Sequence, residues 1–396
     1  MHVKNVIVSR IIRPVHLWLG LASGLVVFVI SITGCLYAFQ EEIQNLTQPY
    51  RFVEPQQRAF MPPSALKAIA EQQLPDKHLH AVMYGKKDQA AQVIFYQFEP
   101  TYYYIVYLNP YTGAVQGVKD VEADFFRIVL MGHFYLWLPP AIGQPVVASA
   151  TLIFLVMLIT GLVLWWPKNR HTARQRFTLK WNASWRRTNY DLHNVLGFYA
   201  TWVVIVLALT GLVWGFQWFA GMVHQVAGGD KSLLYHEPVS ARGPVALSAS
   251  EPAIDRVWQR MVREYPQAAT IEVHTPETDT SAIAANANPE AGTYWQTDYR
   301  YFDQHTLREL PVAHIYGRFT EAGRADKLIR MNYDIHTGAI LGLPGKLLAF
   351  FASLIAASLP ITGFLIWWGR RKKSSVSRRS APARKKTGKA NLQTAR

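Results

Sequence analysis

Four long apolar segments constrain the fold of this chain more than any other feature of its sequence. They run from about Leu17 to Phe39, Pro145 to Trp166, Val195 to Phe216 and Leu347 to Trp368. A helix needs roughly 20 apolar residues to cross the hydrocarbon core of a membrane, and each segment meets that length. The first is too long for a signal peptide, and no cleavage site of small residues follows it. The sequence therefore predicts four transmembrane helices.

Basic residues predict the orientation of these helices. The chain carries 41 Lys and Arg against 26 Asp and Glu, a net charge of +15. About half of the cations lie in the N-terminal arm, the loop after the second apolar segment and the C-terminal tail. Cytoplasmic flanks of membrane helices are enriched in Lys and Arg, which places both termini in the cytoplasm and argues against a nucleic-acid partner. In a Gram-negative cell this is an inner-membrane protein, with its two long intervening segments in the periplasm.

The expected domain boundaries follow from these helices. In order they are a cytoplasmic arm (1–16), a first helix (17–39), a periplasmic domain (40–144), a second helix (145–166), a cytoplasmic loop (167–194), a third helix (195–216), a second periplasmic domain (217–344), a fourth helix (345–368) and a basic cytoplasmic tail (369–396).

Each outer segment has one helical pattern, at 63–74 and 251–265, followed by about four strand-like runs. The predicted fold class is a membrane protein with an all-α four-helix transmembrane bundle and two extracytoplasmic α+β domains. The stretch 276–292, rich in Ala, Asn, Pro and Thr, is expected to include a mobile hairpin loop beside a strand-like run near 280–285.

The apolar segments also repeat in register. His16 and His193 are each followed 17 residues later by a Thr-Gly pair. The second and fourth segments each carry a Thr-Gly pair before a Trp-Trp pair, with His133 and His336 upstream. The joint match predicts an internal duplication.

The second copy carries a recognisable motif. Tyr333-Asp334-Ile335-His336-Thr337-Gly338 precedes Thr362-Gly363 and Trp367-Trp368. This pattern resembles the PepSY-associated transmembrane-helix family of iron-regulated membrane proteins, which includes FoxB-type ferric-siderophore reductases of the inner membrane. The resemblance covers nearly the whole chain and implies PepSY-like outer domains and b-type haem. The first copy departs from the motif, since Met131-Gly132-His133-Phe134-Tyr135 keeps only its histidine.

Four histidines are candidate haem ligands. Two imidazoles on opposite faces of a porphyrin make an electron-transfer centre, and ionisable residues beside membrane helices suggest function by default. The repeat predicts that His16 pairs with His193 and His133 with His336, with one haem b near each membrane face. A lone histidine at a membrane boundary is more often an interfacial polar residue, but four at equivalent positions favour ligation. His224 is the alternative ligand.

An arginine stands six residues before each candidate ligand, and the four are Arg10, Arg127, Arg187 and Arg330. Haem propionates are anions that pair with Arg or Lys, so these side chains are possible propionate contacts. Their alternative roles are topological or snorkelling. The Thr-Gly pairs suit close helix packing and leave room for a flat macrocycle.

Two haems and the family resemblance imply electron transfer across the membrane to a ferric siderophore, whose one-electron reduction releases Fe(II). External aromatic residues are candidates for the substrate surface: Tyr102, Tyr103, Tyr104, Trp137, Tyr294 and Trp295. The catalytic residues are unknown, since no carboxylate or nucleophile pair stands out. No nucleotide-binding motif is present, so the electron donor is an unidentified quinol or cytoplasmic reductase. The alternatives are a PepSY-type regulator that binds peptidases and a transporter of haem or an iron chelate.

Overall fold

The computed structural model describes residues 8–167, 176–241 and 251–379. This part of the chain has four helical stretches long and apolar enough to cross a membrane: Arg10–Tyr37, Pro140–Trp165, Trp185–Gly215 and Ala339–Arg371, here called spans 1 to 4. They coincide with the four apolar segments, so the prediction of four membrane helices is confirmed. Several cations used to predict orientation, including Lys4, Lys168, Arg170, Arg174 and those beyond residue 379, lie outside the described residues.

The helices are α1 (Arg13–Tyr37), α2 (Gln40–Thr47), α3 (Pro63–Gln73), α4 (Phe125–Tyr135), α5 (Pro140–Trp165), α6 (Trp185–Asp191), α7 (Gly197–Gly215), α8 (Gln217–Val226), α9 (Ala253–Glu264), α10 (Arg324–Arg330), α11 (Asn332–Thr337) and α12 (Gly342–Arg379). The strands are β1 (Leu79–Tyr84), β2 (Ala91–Gln97), β3 (Tyr102–Leu108), β4 (Val115–Asp120), β5 (Thr270–His274), β6 (Ala282–Asn288), β7 (Asp298–Asp303) and β8 (Glu309–Leu310). Single π-helical turns extend spans 1 and 3 at Val8–Ile12 and Leu192–Leu196.

The eight strands form one continuous antiparallel sheet in the order β4-β3-β2-β1-β5-β6-β7-β8. Strands β1 and β5 join its two halves, with Val82 opposite Val273. Helices α3 and α9 cover one face, where Leu66 and Met261 are fully buried. Each outer segment contributes four strands and one helix that covers the sheet, as the sequence predicts, and it also contains shorter helices that were not predicted. The merging of their strands into one sheet was not predicted, because pairing between distant segments leaves no local periodicity.

Strand β6 confirms the strand-like run expected near 280–285 and shows that the loop within 276–292 is shorter than its composition suggests. Residues Ala282–Asn288 pair with both β5 and β7, and Ile283, Ala285 and Ala287 point into the core beneath α9. Alanine and asparagine are poor strand formers, which is why the local composition favours a loop. Burial on one face of the sheet outweighs that preference.

The four spans pack as a ring in which spans 1 and 3 each contact spans 2 and 4. Small residues allow close approach, since a Cβ on Gly24 of span 1 would lie 3.2 Å from Pro360 of span 4. The middle of the bundle is filled by apolar side chains that include Val27, Phe154 and Val204. This apolar layer separates the end nearer the sheet, called the sheet end, from the opposite end.

Candidate functional site

Each predicted histidine places its Nδ1 atom against the threonine of a Thr-Gly pair on another span. The Nδ1···Oγ1 distances are 3.0 Å for His16 and Thr160, 3.2 Å for His133 and Thr33, 2.9 Å for His193 and Thr362, and 2.8 Å for His336 and Thr210. The exchange is reciprocal. Span 1 and the segment leading through α4 into span 2 hold each other's histidines, and span 3 and the segment leading through α11 into span 4 do the same.

The groups around Nδ1 favour a proton on that nitrogen. Thr210 can donate its hydroxyl hydrogen to a backbone carbonyl of its own helix, with Val206 at 2.8 Å and Leu207 at 3.0 Å. Its oxygen can then accept from Nδ1 of His336, which leaves the lone pair on Nε2. At His133 the carbonyl oxygen of Ile30, which can only accept, lies 2.8 Å from Nδ1. The other three threonines make the same helix-internal bonds. A neutral imidazole with a free Nε2 is the form that binds metals, and a partner on Nδ1 orients such a ligand.

The glycine of each Thr-Gly pair gives the imidazole its space. A Cβ on Gly34 or Gly363 would lie 3.2 Å from the Cε1 atom of the histidine it faces, and the distances at Gly161 and Gly211 would be 3.4 and 3.5 Å. The sequence suggested close helix packing as the main role of these pairs. The structure instead places a histidine ring over each glycine, so each Thr-Gly pair forms the surface on which an imidazole ring packs.

The histidines meet in two layers, one at each end of the bundle. At the sheet end the rings of His133 and His336 lie 6.0 Å apart between centroids, with an interplanar angle of 67°. Two imidazoles that bind the same metal ion from opposite sides, each at about 2 Å, have ring centres roughly 6 Å apart. At the opposite end His16 lies within electrostatic range of His193. Within the described residues, no side chain or backbone group hydrogen-bonds to the Nε2 atoms of these four histidines.

A cavity of about 350 Å³ opens around the sheet-end pair, within the range typical of ligand pockets. His133 and His336 line it, and much of the remaining wall is apolar or aromatic. The lining residues that carry hydroxyl groups include Tyr37, Tyr333 and Thr337. The 17 residues between His16 and Thr33 on span 1 separate the two layers by about 25 Å along the helix axis.

Two asparagines that sequence reasoning missed hold the histidines of the second half. Asn332 donates its side-chain amide to the carbonyl of Thr210 at 3.1 Å, and Asn189 donates to the carbonyl of Thr362 at 3.1 Å. Both are buried. A signal was present, because the pattern Arg-x-Asn-Tyr-Asp-x-His occurs at 187–193 and again at 330–336. The first half has neither asparagine.

The acidic residue of the same motif organises the sheet side of the cavity. Asp334 is completely buried and accepts hydrogen bonds from the backbone N–H groups of Tyr294 and Trp295, each at 2.9 Å. Burial raises the pKa of Asp334, against the effect of those two donors. The contact fixes the loop before β7 above Tyr333, whose ring centroid lies 5.3 Å from that of Tyr294.

The arginines predicted as propionate contacts have partners of different kinds in the structure. Arg127 pairs with Glu122 at 2.8 Å, and Arg187 pairs with Asp191 at 2.9 Å. Arg330 donates to the carbonyl of Thr297 and lies over the rings of Tyr299 and Phe319. Arg127 and Arg330, the two expected beside the sheet-end pair, do not line the sheet-end cavity. Arg10, which is exposed, and Arg187 were expected beside the opposite pair. A shared spacing before histidine does not bring these arginines into one environment, because six residues is not a same-face spacing on a helix.

His224, the alternative ligand, lies away from the cavity. Its Nε2 atom is 3.0 Å from the carboxylate of Asp326, and both side chains are almost fully buried. Lys231 pairs with the same carboxylate at 3.3 Å. The Nε2 atom of His224 is thus hydrogen-bonded to Asp326 in this structure.

A four-helix membrane bundle with two histidine layers, capped by a single antiparallel sheet, is the class of protein that the fold and site define. The model of the PepSY-associated TM region matches residues 13–370. The chain therefore belongs to the PepSY-associated transmembrane family, and the resemblance noted in the sequence is confirmed. Comparison with curated proteins gives no match.

Proposed function

We propose that the protein is a di-haem b-type cytochrome of the bacterial inner membrane that passes electrons outward to ferric siderophores and releases Fe(II) in the periplasm. The observation that carries the proposal is the fourfold contact in which a threonine hydroxyl lies against Nδ1 and favours a free Nε2. One such contact would be an ordinary buried histidine. Four of them, with His133 beside His336 and His16 near His193, fit two bis-histidine centres.

The four histidines and the cavity wall fit haem b. His133 and His336 would hold one haem and His16 and His193 the other, each through Nε2. The sheet-end rings already stand at the spacing that a shared metal ion requires, and the cavity around them is mostly apolar, as a porphyrin requires. When bound, a bis-histidine haem supplies one-electron transfer. The chain itself contributes imidazole orientation, through Thr33 and Thr210, and the exclusion of bulk water.

The distribution of basic residues supports an outward path. Lys and Arg concentrate in the arm, the loop after span 2 and the tail, which favours a periplasmic location for the sheet. The repeated histidines and Thr-Gly pairs support an internal duplication that yields one site for each membrane face. Reduction of the chelated Fe(III) would promote release of the iron, because Fe(II) binds hard oxygen ligands more weakly than Fe(III) does. The electron donor in this proposal is a quinol or a cytoplasmic reductase.

The visible spectrum of the full-length protein purified in detergent tests this function. We expect a Soret band and sharp α and β bands after reduction, with haem lost in common from His133→Ala and His336→Ala. His224→Ala is the matched control and should keep full haem content, since that side chain binds Asp326. Colourless protein from haem-replete cells would refute the cytochrome and favour a peptidase-binding regulator. Haem-containing protein that a ferric siderophore does not reoxidise would favour transport.

A further inference from the structure

A continuous row of aromatic rings runs from the sheet-end cavity to the protein surface. The centroid of His336 lies 5.3 Å from Trp214, Trp214 lies 6.1 Å from Tyr333, and Tyr333 lies 5.3 Å from Tyr294. The first three rings line the cavity. The last one is 53% exposed. Each step is within the range of direct ring contact.

The exposed end of this row is held in place. Both Tyr294 and its neighbour Trp295 donate their backbone N–H groups to Asp334, a carboxylate with no solvent exposure. Leaving a buried carboxylate without its hydrogen-bond donors costs free energy. Movement of this loop away from Asp334 would break both hydrogen bonds and leave the carboxylate unpaired. An aromatic side chain fixed in an exposed position is a feature of binding surfaces.

Two phenol rings and a carboxylate lie around Tyr294. Tyr37 of span 1, Tyr103 of β3 and the carboxylate of Glu41 all lie close enough to affect its ionisation. Glu41 also approaches this loop, since a Cβ on Gly292 would lie 3.3 Å from its Oε2 atom. The surface around Tyr294 thus combines phenol rings with a carboxylate, and the guanidinium of Arg127 is paired with Glu122.

We propose that Tyr294 is the docking point of the ferric chelate and that Trp214 and Tyr333 connect it to the centre held by His336. This inference rests on the proposed function and adds the place where the acceptor binds. In the step, one electron leaves the sheet-end centre and reduces one Fe(III) to Fe(II). The rings bridge donor and acceptor and are neither oxidised nor deprotonated. A chelate that is neutral or cationic suits this surface better than a trianionic one, because Glu41 repels negative charge.

Binding and electron transfer can be measured separately on the full-length protein. A Ga(III) trihydroxamate is a redox-inert probe for binding, and the Fe(III) trihydroxamate with an Fe(II) trap reports reoxidation of the reduced protein. Tyr294→Ser should weaken binding of the Ga(III) probe about tenfold, the loss expected for a central aromatic contact. Tyr235→Ser is the matched control, since that tyrosine is 52% exposed and contacts His314 and Tyr301 instead. It should bind as the wild type does.

Tyr333 tests the connection. Tyr333→Leu should leave Ga(III) binding unchanged and slow reoxidation at saturating Fe(III) chelate, while Tyr333→Phe, which keeps the ring, should restore the wild-type rate. The reduced spectrum and midpoint potential check that the centre is intact in each variant. Equal Ga(III) binding by Tyr294→Ser and Tyr235→Ser would overturn the docking site, with the reductase function surviving if the wild type still reduces the chelate. A wild type that contains no haem or reduces no chelate would overturn both.

Discussion

Thr210 offers the most direct test of the geometry that fixes a histidine. Thr210→Val keeps the shape of the side chain but removes the oxygen that accepts the Nδ1 proton of His336 at 2.8 Å. The carbonyl of Leu207 remains as an acceptor near the imidazole and favours the same tautomer. We expect His336 to remain in the cavity but to hold its haem less tightly, because the threonine no longer helps to fix its orientation.

The magnitude follows from the single bond removed. One hydrogen bond contributes about 1 kcal/mol, which corresponds to about fivefold in an equilibrium constant. Loss of a hydrogen-bond partner of a metal ligand typically costs 10–100-fold in affinity. Haem of the sheet-end centre should therefore be lost about ten times faster from Thr210→Val than from the wild type.

Transfer of haem to an excess of apo-globin measures this loss by absorbance. Thr201→Val is a suitable control, because Thr201 is also a buried threonine of span 3 whose hydroxyl bonds only within its helix, to the carbonyl of Gly197 at 2.6 Å. It is absent from the cavity wall. If both variants retain haem equally well, Thr210 does not support an iron ligand. If both lose it equally, the effect is one of helix packing.

Three further outcomes are expected. Gly34→Ala should favour its helix by about 1 kcal/mol yet lower the haem content, because its Cβ would meet the facing imidazole at 3.2 Å; Gly221→Ala, with nothing within 4 Å, should retain full haem. Asn332→Leu should destabilise the sheet-end layer by about 1 kcal/mol through its lost bond to the Thr210 carbonyl, and unchanged haem retention would contradict this. Although burial disfavours ionisation of Glu309, two arginine ion pairs outweigh it and lower its pKa to about 2. Glu309→Gln should therefore reduce the free energy of unfolding by up to about 3 kcal/mol at neutral pH. That deficit should fade in acid melts as pH falls from the ordinary glutamate pKa to about 2, and a pH-independent deficit would refute the ion-pair explanation.

Local patterns predicted the membrane spans and most of the outer elements to within a few residues. The helical pattern at 63–74 is α3, and the pattern at 251–265 is α9. These succeed because apolar periodicity is imposed by burial of one face. The strand-like run near 280–285 is β6, but its alanines and asparagines did not define where the strand ends. Its extent depends on β5, β7 and α9, which only the folded chain supplies.

The candidate site, too, was predicted only in part from the sequence. The sequence alone placed one histidine and one Thr-Gly pair with each span, because residue spacing along a helix is a local property. It did not show that the histidine of one segment docks on the Thr-Gly pair of another, or that Asn332 and Asp334 serve that contact from the same motif. It also did not show that Arg330 turns into the sheet. Those outcomes depend on which helix faces lie against each other, and the packing of the four spans and the single sheet determines that arrangement.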